Sequence, residues 1–432
     1  MTQPLPARVR HGYGVAALSI AVANTALLFF LLKFLVDGAR MTPAAAGSVL
    51  LVGKLWDAVV DPAIGRLSDR SRGRRPWIAG GALPLAVLFA ALWQPLPLEG
   101  LAQAGAYAGL LVLYSTSYSA VTVPYGALTP ALTQDYDERT RLNAARMGWS
   151  MVGGLVAGIA MPLVHQATGS WSVAGGALAL LIVPPILVTW WATRGRDPVR
   201  QGEDTAFSMR ELLGVRAFRR TAILFVTAWS SIAVLSALVP FYVQHHLQHP
   251  KLLDAVFAAI QIAALVAIPG VAWLSHRMEK HRAYAVSVAA WAIVLVALAL
   301  VPPGTGWPVL IVAALCGPGV AAAHVLPWSM LPDVVEADRA ASGEDRAGQF
   351  YGVLTFLEQA ATAVALQGVG LGLEFSGYVE GAASQPEAAR LALRLLIGPL
   401  PGLVLVGAAI FAWTRPPLTR AEHRSLVEKL SG

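Results

Sequence analysis

The sequence predicts an all-α membrane protein of about twelve transmembrane helices, arranged as two related six-helix halves. Three observations carry this expectation. Of 432 residues, 56% are apolar and only 13% charged, and the mean hydropathy is +0.59; a soluble chain carries roughly 25% charged residues. Stretches of about 20 mostly apolar residues, long enough to cross a hydrocarbon core, recur along the whole chain. Short patterns also return half a chain later. Arg66-Leu67-Ser68-Asp69-Arg70 is echoed by Trp273-Leu274-Ser275-His276-Arg277 at an offset of 207 residues, and Val123-Pro124-Tyr125-Gly126 by Leu326-Pro327-Trp328-Ser329 at 203. Two matches at nearly one offset point to an internal repeat, as in many membrane folds built from paired bundles.

Taken in order, the first apolar run covers roughly 12–37 and is too long for a signal peptide, with no small-residue cleavage site after it. Runs follow at roughly 44–66, 76–95, 103–132, 143–165 and 171–193. The longest hydrophilic stretch, Arg194 to Arg220, then intervenes, opening with Gly195-Arg196-Asp197-Pro198 and holding an amphipathic piece, Met209–Val215. Beyond it lie runs at roughly 218–244, 252–275, 282–302, 306–334, 347–377 and 388–413. The expected organisation is a bundle at 1–195, a cytoplasmic linker at 196–217, a second bundle at 218–414 and a cytoplasmic tail at 415–432.

The net charge of +7 is topological. Of 32 Lys and Arg residues, 26 fall before the first helix, on alternate loops, in the central stretch or in the tail. The exceptions are Lys33, Arg40, Lys54, Lys251, Arg390 and Arg394. Such asymmetry places both termini in the cytoplasm and argues against nucleic acid as a partner. The one cysteine, Cys316, lies in an apolar run, so no intramolecular disulfide or cysteine metal site is possible.

The sharpest local feature is Lys54-Leu55-Trp56-Asp57-Ala58-Val59-Val60-Asp61-Pro62 in the second run. Asp57 and Asp61 are four residues apart and share a helix face. A carboxylate inside a membrane helix costs about 2.5–3.5 kcal/mol, and two on one face repel when both are ionised. A cation between them, or a proton on one, relieves both costs. The structural alternative is pairing with Lys54 or with a base on another helix.

Gly65-Arg66-Leu67-Ser68-Asp69-Arg70-Ser71-Arg72-Gly73-Arg74-Arg75 resembles the cytoplasmic signature loop of the major facilitator superfamily. Trp56-Asp57-Ala58 with Asp61-Pro62, then this loop, then Pro76-Trp77, is similar to the melibiose-permease group of glycoside–pentoside–hexuronide:cation symporters. Val123-Pro124-Tyr125-Gly126-Ala127-Leu128-Thr129-Pro130 and Asp137-Glu138-Arg139-Thr140-Arg141-Leu142 add to it. Leu326-Pro327-Trp328-Ser329-Met330-Leu331-Pro332-Asp333-Val334-Val335-Glu336 also resembles the sodium-dependent lysophosphatidylcholine symporters, a lipid-carrying branch.

The resemblance implies the major facilitator fold, with two pseudo-symmetric six-helix bundles. It implies cation-coupled symport by alternating access, with Na⁺ or H⁺ held by Asp57 and Asp61 and neighbouring Ser19 and Thr122. It also implies no organic cofactor and no resident metal beyond the coupling cation. The expected substrate is a small glycoside or other sugar, with a lysophospholipid as the alternative. The chain departs from the sugar-carrying pattern: Ser19 and Thr122 stand where acids are usual, Gly126 where an aromatic is, and Gln359 where Lys is.

Candidate substrate-binding residues are Asn24, Tyr118, Tyr125, Arg146, His324, Trp328, Glu358 and Gln359, all polar or aromatic groups inside apolar runs. Candidate cytoplasmic-gate residues are Asp69, Arg70, Arg74, Arg139, Asp333 and Glu336, at helix ends. Gly47…Gly53-Lys54 lacks the spacing, the hydroxyl and the preceding strand of a phosphate loop, so ATP hydrolysis has no support. His245, His246 and His249 have metal-like spacing but no acidic neighbours, and read as an exposed polar loop. No clustered nucleophile and base suggests an enzyme, and a receptor would not need the embedded acids. The remaining expectations are a monomer in contact with membrane lipid, in a bacterial inner membrane.

Overall fold

The computed structural model describes residues 5–71, 73–133, 136–196, 209–343, 346–419 and 421–422, with the side chains of 69, 129–131, 136, 137, 139 and 140 left out of the description. Two of the expected gate residues, Asp69 and Arg139, have side chains outside the described set, as does most of the expected 196–217 linker.

Among the described residues the regular structure is helical, and no strand is present. Ten helices are long and apolar enough to cross a membrane. In chain order they and their neighbours are α1 (Ala7–Leu31), α2 (Pro43–Arg70), α3 (Arg75–Leu92), α4 (Gly100–Leu132), α5 (Tyr136–Thr168), α6 (Trp171–Ala192), α7 (Arg216–His246), α8 (Pro250–Arg277), α9 (Lys280–Leu300), α10 (Val309–Ser342), α11 (Ala347–Phe375) and α12 (Glu387–Thr414). The two outside the ten are α4 and α11, which are long enough at 33 and 29 residues. Their Tyr, Ser, Gln and Gly content makes them less apolar, as expected of helices that carry polar faces.

Local chemistry sets several boundaries. Thr42 caps α2 by accepting from the Ala45 N–H, with Pro43 in the first turn. Ser170 caps α6 in the same way through the Val173 N–H. At the other end of α10, Gly343 adopts φ +75° and its N–H closes the helix on the Arg339 carbonyl. Prolines sit inside α2, α3, α5, α7, α8 and α10, three of them (Pro318, Pro327 and Pro332) in α10. Membrane helices tolerate such prolines because packed neighbours re-satisfy the freed carbonyls.

The chain divides into two compact units, Met1–Asp204 with Glu380–Ala382, and Thr205–Val379 with Ala383–Gly432. The main internal pairings recur in both. In unit 1, α1 packs on α5 and α6, α4 packs on α2 and α3, and α3 packs on α6. In unit 2, α7 packs on α11 and α12, α10 packs on α8 and α9, and α9 packs on α12. The helix pairs α2–α4 and α8–α10 both meet at a glycine. A Cβ on Gly53 would stand 2.3 Å from Leu111 Cδ2, and one on Gly317 would stand 2.5 Å from the backbone nitrogen of Ala264. Small residues that let helices approach are the usual means of association in a solvent as apolar as the side chains.

Unit 2 also includes the short helix Met209–Gly214, within the piece read from the sequence as amphipathic. Its Leu212 is buried with Phe218, Phe225, Leu331, Phe350 and Leu354. Unit 1 is completed by Glu380–Ala382. The Gly381 N–H donates to Asp37 at 2.8 Å, and Arg40 donates to the Glu380 carbonyl at 2.6 Å. Both Arg40 and Gly381 have positive φ, +59° each. A Cβ on Gly381 would collide with the Arg40 guanidinium at 2.3 Å, so this seat accepts only glycine without rearrangement.

Candidate functional site

The embedded acids lie on the face of α2 that meets α4. Asp57 accepts from Lys54 Nζ at 3.1 Å through Oδ2, and its side chain is only 14% exposed. Its other oxygen, Oδ1, is buried and meets no hydrogen-bond partner among the described residues. One turn on, Asp61 Oδ1 accepts a short hydrogen bond from the Ser119 hydroxyl of α4. Trp56, between Lys54 and Asp57, donates from Nε1 to Thr116 Oγ1 at 2.9 Å. Thr116 is three residues before Ser119, so α2 is keyed to one polar stripe of α4. Tyr114, on another face of α4, is within electrostatic reach of Asp57 and stacks on Tyr118 at 5.9 Å.

Lys54 offsets one of the two negative charges. The unpartnered Asp57 oxygen, the Asp61 carboxylate and the Ser119 hydroxyl together make an oxygen-rich environment on this face. The structural alternative raised by the sequence, pairing with Lys54, is therefore present, yet it satisfies only half of the Asp57 carboxylate. A buried oxygen left unpaired costs about 1–3 kcal/mol. Ser119 and Thr116 have no sequence signal of their own, because they stand among Ser115, Ser117 and Thr122 in one Ser- and Thr-rich stretch of α4.

The other candidates of unit 1 are placed less centrally. Ser19 is fully buried and donates to the Leu181 carbonyl of α6 at 3.2 Å, a packing contact between α1 and α6. Thr122 is half-buried on α4, one turn beyond Ser119. Tyr125 is buried, stacks on Tyr13 at 4.8 Å and donates to the Tyr13 carbonyl at 3.1 Å, while Tyr13 donates back to the Tyr125 carbonyl. That reciprocal pair fastens α1 to α4. Arg146 lies 5.5 Å from the Tyr125 ring, an interaction worth about 0.5–2 kcal/mol. Asn24 is exposed on α1 and Tyr118 half-buried on α4.

Unit 2 holds an aromatic array. Trp328 meets Phe225 edge-on at 4.9 Å and stacks with Tyr351 of α11 at 6.1 Å. His324, one turn before Trp328, meets Trp229 edge-on at 4.7 Å. The His324 Nδ1–H donates to the Val320 carbonyl at 2.9 Å. The indole Nε1 of Trp229 is buried and has no acceptor among the described residues. Trp229 and Tyr351 belong to this array although no pattern in the sequence marks them. Glu358 and Gln359 are half-buried on α11, and both have polar or electrostatic partners in the structure.

Helix ends carry ordered polar contacts in both units. Arg74, at the start of α3, donates to the Ala127 carbonyl of α4 at 3.1 Å. Lys280, at the start of α9, donates to the Ser329 carbonyl of α10 at 2.8 Å and grips both oxygens of Asp333 at 2.8 and 2.6 Å. Arg346 forms a two-pronged pair with the buried Asp338, which sequence reading passed over. Arg70 and Glu336 are exposed and have partners.

The histidines read as an exposed loop require correction. His245 and His246 are buried, with His245 Nε2 facing the Tyr378 hydroxyl at 2.8 Å and His246 Nε2 facing the Val301 carbonyl at 2.8 Å. An apolar helix that continues to His246 carries them inside, and each finds a local partner. Among the described residues, no group of three or more His, Cys, Asp or Glu is placed to hold a metal.

The family model described as MFS/sugar transport protein matches residues 12–420. An uncharacterized symporter of Synechocystis is 29% identical over all of this chain and 98% of its own length. The sodium-dependent lysophosphatidylcholine symporter 1-A of Danio rerio is 26% identical, covering 92% of this chain and 84% of the relative. Among solved structures, the nucleoside transporter NupG aligns with 95% of this chain and 100% of its own, with a TM-score of 0.68 at 13% identity, a likeness of fold.

Proposed function

We propose, from the premise that this chain belongs to the MFS/sugar transport protein family, that it couples Na⁺ or H⁺ to the uptake of a lysophospholipid-class amphiphile. That it is a membrane transporter of the major facilitator type, and not an enzyme, follows from the family itself. The observation that carries the coupling is Asp57 Oδ1, buried and unpartnered one turn from Asp61. A Na⁺ between the two carboxylates would gain hard oxygen ligands from Asp57, Asp61 and Ser119. A proton on either acid would relieve the same strain with one fewer charge to bury. One charge moving inward through 100 mV supplies about 2.3 kcal/mol, a useful drive for uptake by alternating access. The concentration of Lys and Arg on alternate loops supports cytoplasmic termini in this reading, and the membrane is taken to be a bacterial inner membrane.

Three observations favour an amphiphile. Relatives spanning nearly the whole chain are sodium-dependent lysophosphatidylcholine symporters. Ser19, which stands where an acid is usual on α1, gives its one proton to the Leu181 carbonyl, and neither it nor Thr122 carries a charge, so the usual charged groups for sugar hydroxyls are missing. The array of Phe225, Trp229, His324, Trp328 and Tyr351 offers apolar area for a chain and polar edges for a headgroup. A glycoside remains the second reading, favoured by the stacked pair Trp328–Tyr351, a surface suited to a sugar ring.

Proteoliposomes with an imposed Na⁺ or pH gradient test both parts. Uptake of labelled lysophosphatidylcholine is expected to follow one of the gradients and to resist competition by glycosides. Gradient-independent transport would remove the coupling, and competition by a glycoside alone would replace the substrate.

A further inference from the structure

At the end of unit 2 where α7 finishes, a cavity of about 430 Å³ is lined by His246, Pro303, Glu387, Arg390, Leu391 and Arg394. It has no part in the ion site or the aromatic array described above. Its basic wall is built by the first segment of α12, Glu387–Ile397, which buries Ala389, Leu393 and Ile397 and so turns the rest of its surface outward. Arg390 and Arg394 are four residues apart and share one face of that segment.

Neither guanidinium is ion-paired among the described residues. Arg394 Nε donates to the Ala299 carbonyl at 2.8 Å, which fixes the side chain in place. Arg390 Nε is buried and meets no acceptor. His246 donates its Nε2–H to the Val301 carbonyl, so that nitrogen accepts from neither guanidinium. Two like charges one turn apart repel, and a buried donor without an acceptor is a standing cost. An anion with several acceptor oxygens removes both penalties, and a phosphate fits the planar fork of arginine.

We propose that this cavity binds the phosphodiester of a membrane phospholipid headgroup, held by Arg390 and Arg394. Two features favour a lipid over free phosphate as the source. Glu387 lines the same cavity and opposes a dianion more than a singly charged diester. The surroundings are those of a bilayer interface: Trp307 is 68% exposed just beyond Pro303, and Leu391 and Leu395 of the same helix segment are 50% and 47% exposed, surface that acyl chains would cover.

The test uses the full-length chain, purified in a nonionic detergent and stripped of lipid, with thermal unfolding as readout. The probes are dioctanoylphosphatidylglycerol, dioctanoylglycerol, which has the tails and no phosphate, and inorganic phosphate. The phospholipid is expected to raise the midpoint saturably and dioctanoylglycerol to leave it unchanged. Arg390→Gln is expected to weaken the phospholipid response about ten-fold. Inorganic phosphate should compete with the lipid on the wild-type protein, a measurement that needs no variant. Phosphate binding more tightly than the lipid would keep the anion site and reassign its occupant to soluble phosphate. Equal shifts from dioctanoylglycerol, or an unchanged response in Arg390→Gln, would overturn the proposal. Arg390→Lys keeps a charge without the fork, and stands in if the glutamine variant does not fold.

Discussion

The two units share one packing scheme and differ most where α2 is compared with α8. At the repeat offset of 207 residues, Lys54, Asp57 and Asp61 correspond to Gln261, Ala264 and Ile268. At the companion offset of 203, Tyr114 corresponds to Gly317. In unit 2 those positions are a point of close approach, where a Cβ on Gly317 would meet the Ala264 backbone at 2.5 Å. In unit 1 the same two positions hold an acid and a tyrosine within electrostatic reach of each other. The same helix pairing is closed by small residues in one half, and in the other carries ionisable groups that no simple core requires. A membrane protein keeps such groups only where they are used. On the proposed reading, ion handling falls to the first half and the aromatic array of the second half receives the substrate.

The largest effect that would break this comparison is at the acids. Asp57→Asn and Asp61→Asn are each expected to abolish ion-dependent uptake in proteoliposomes while the protein still elutes as a folded species. Next come the two packing glycines, which sharpen it. Gly317→Ala places a methyl against backbone, which cannot move aside, and is expected to cost about 2–3 kcal/mol. Gly53→Ala meets the side chain of Leu111, which can rotate, and is expected to cost about 1 kcal/mol. Thermal unfolding of both variants in one detergent checks the order; equal losses would mean that the two helix pairs are closed alike. A comparable loss, about 1 kcal/mol or more, is expected for Gly381→Ala, which forces a side chain into a positive-φ seat against Arg40. The smallest effect is at the helix ends. Lys280 and Asp333 are each about one-third exposed, and Lys280→Met is expected to shift stability by less than about 1 kcal/mol.

Much of this was legible in the sequence, for identifiable reasons. Apolar runs reveal membrane helices because the bilayer fixes their length, and paired acids within such a run are conspicuous because they are costly. What escaped depends on which side chains face each other across helices. Ser119 is one hydroxyl among many on α4, and only the rotation of α2 selects it. Ser19, expected as a ligand beside the acids, donates its hydroxyl to the Leu181 carbonyl, a pairing across helices that the sequence does not display. Trp229 sits in an apolar run where an aromatic carries no distinguishing pattern. Arg390 and Arg394 read as ordinary interfacial bases, because the cavity they share with His246 is made by residues more than a hundred positions apart.

The central claim, that the ion is sensed by the first half alone, is tested most directly by titrating Na⁺, and separately pH, against the thermal midpoint of the purified protein. Four variants are compared with the wild type: Asp57→Asn, Asp61→Asn, Trp229→Phe and Trp328→Phe. The account predicts a saturable response to one of the two cations that vanishes in both acid variants and persists in both tryptophan variants. A response that survives in the acid variants, or disappears with the tryptophans, would contradict it.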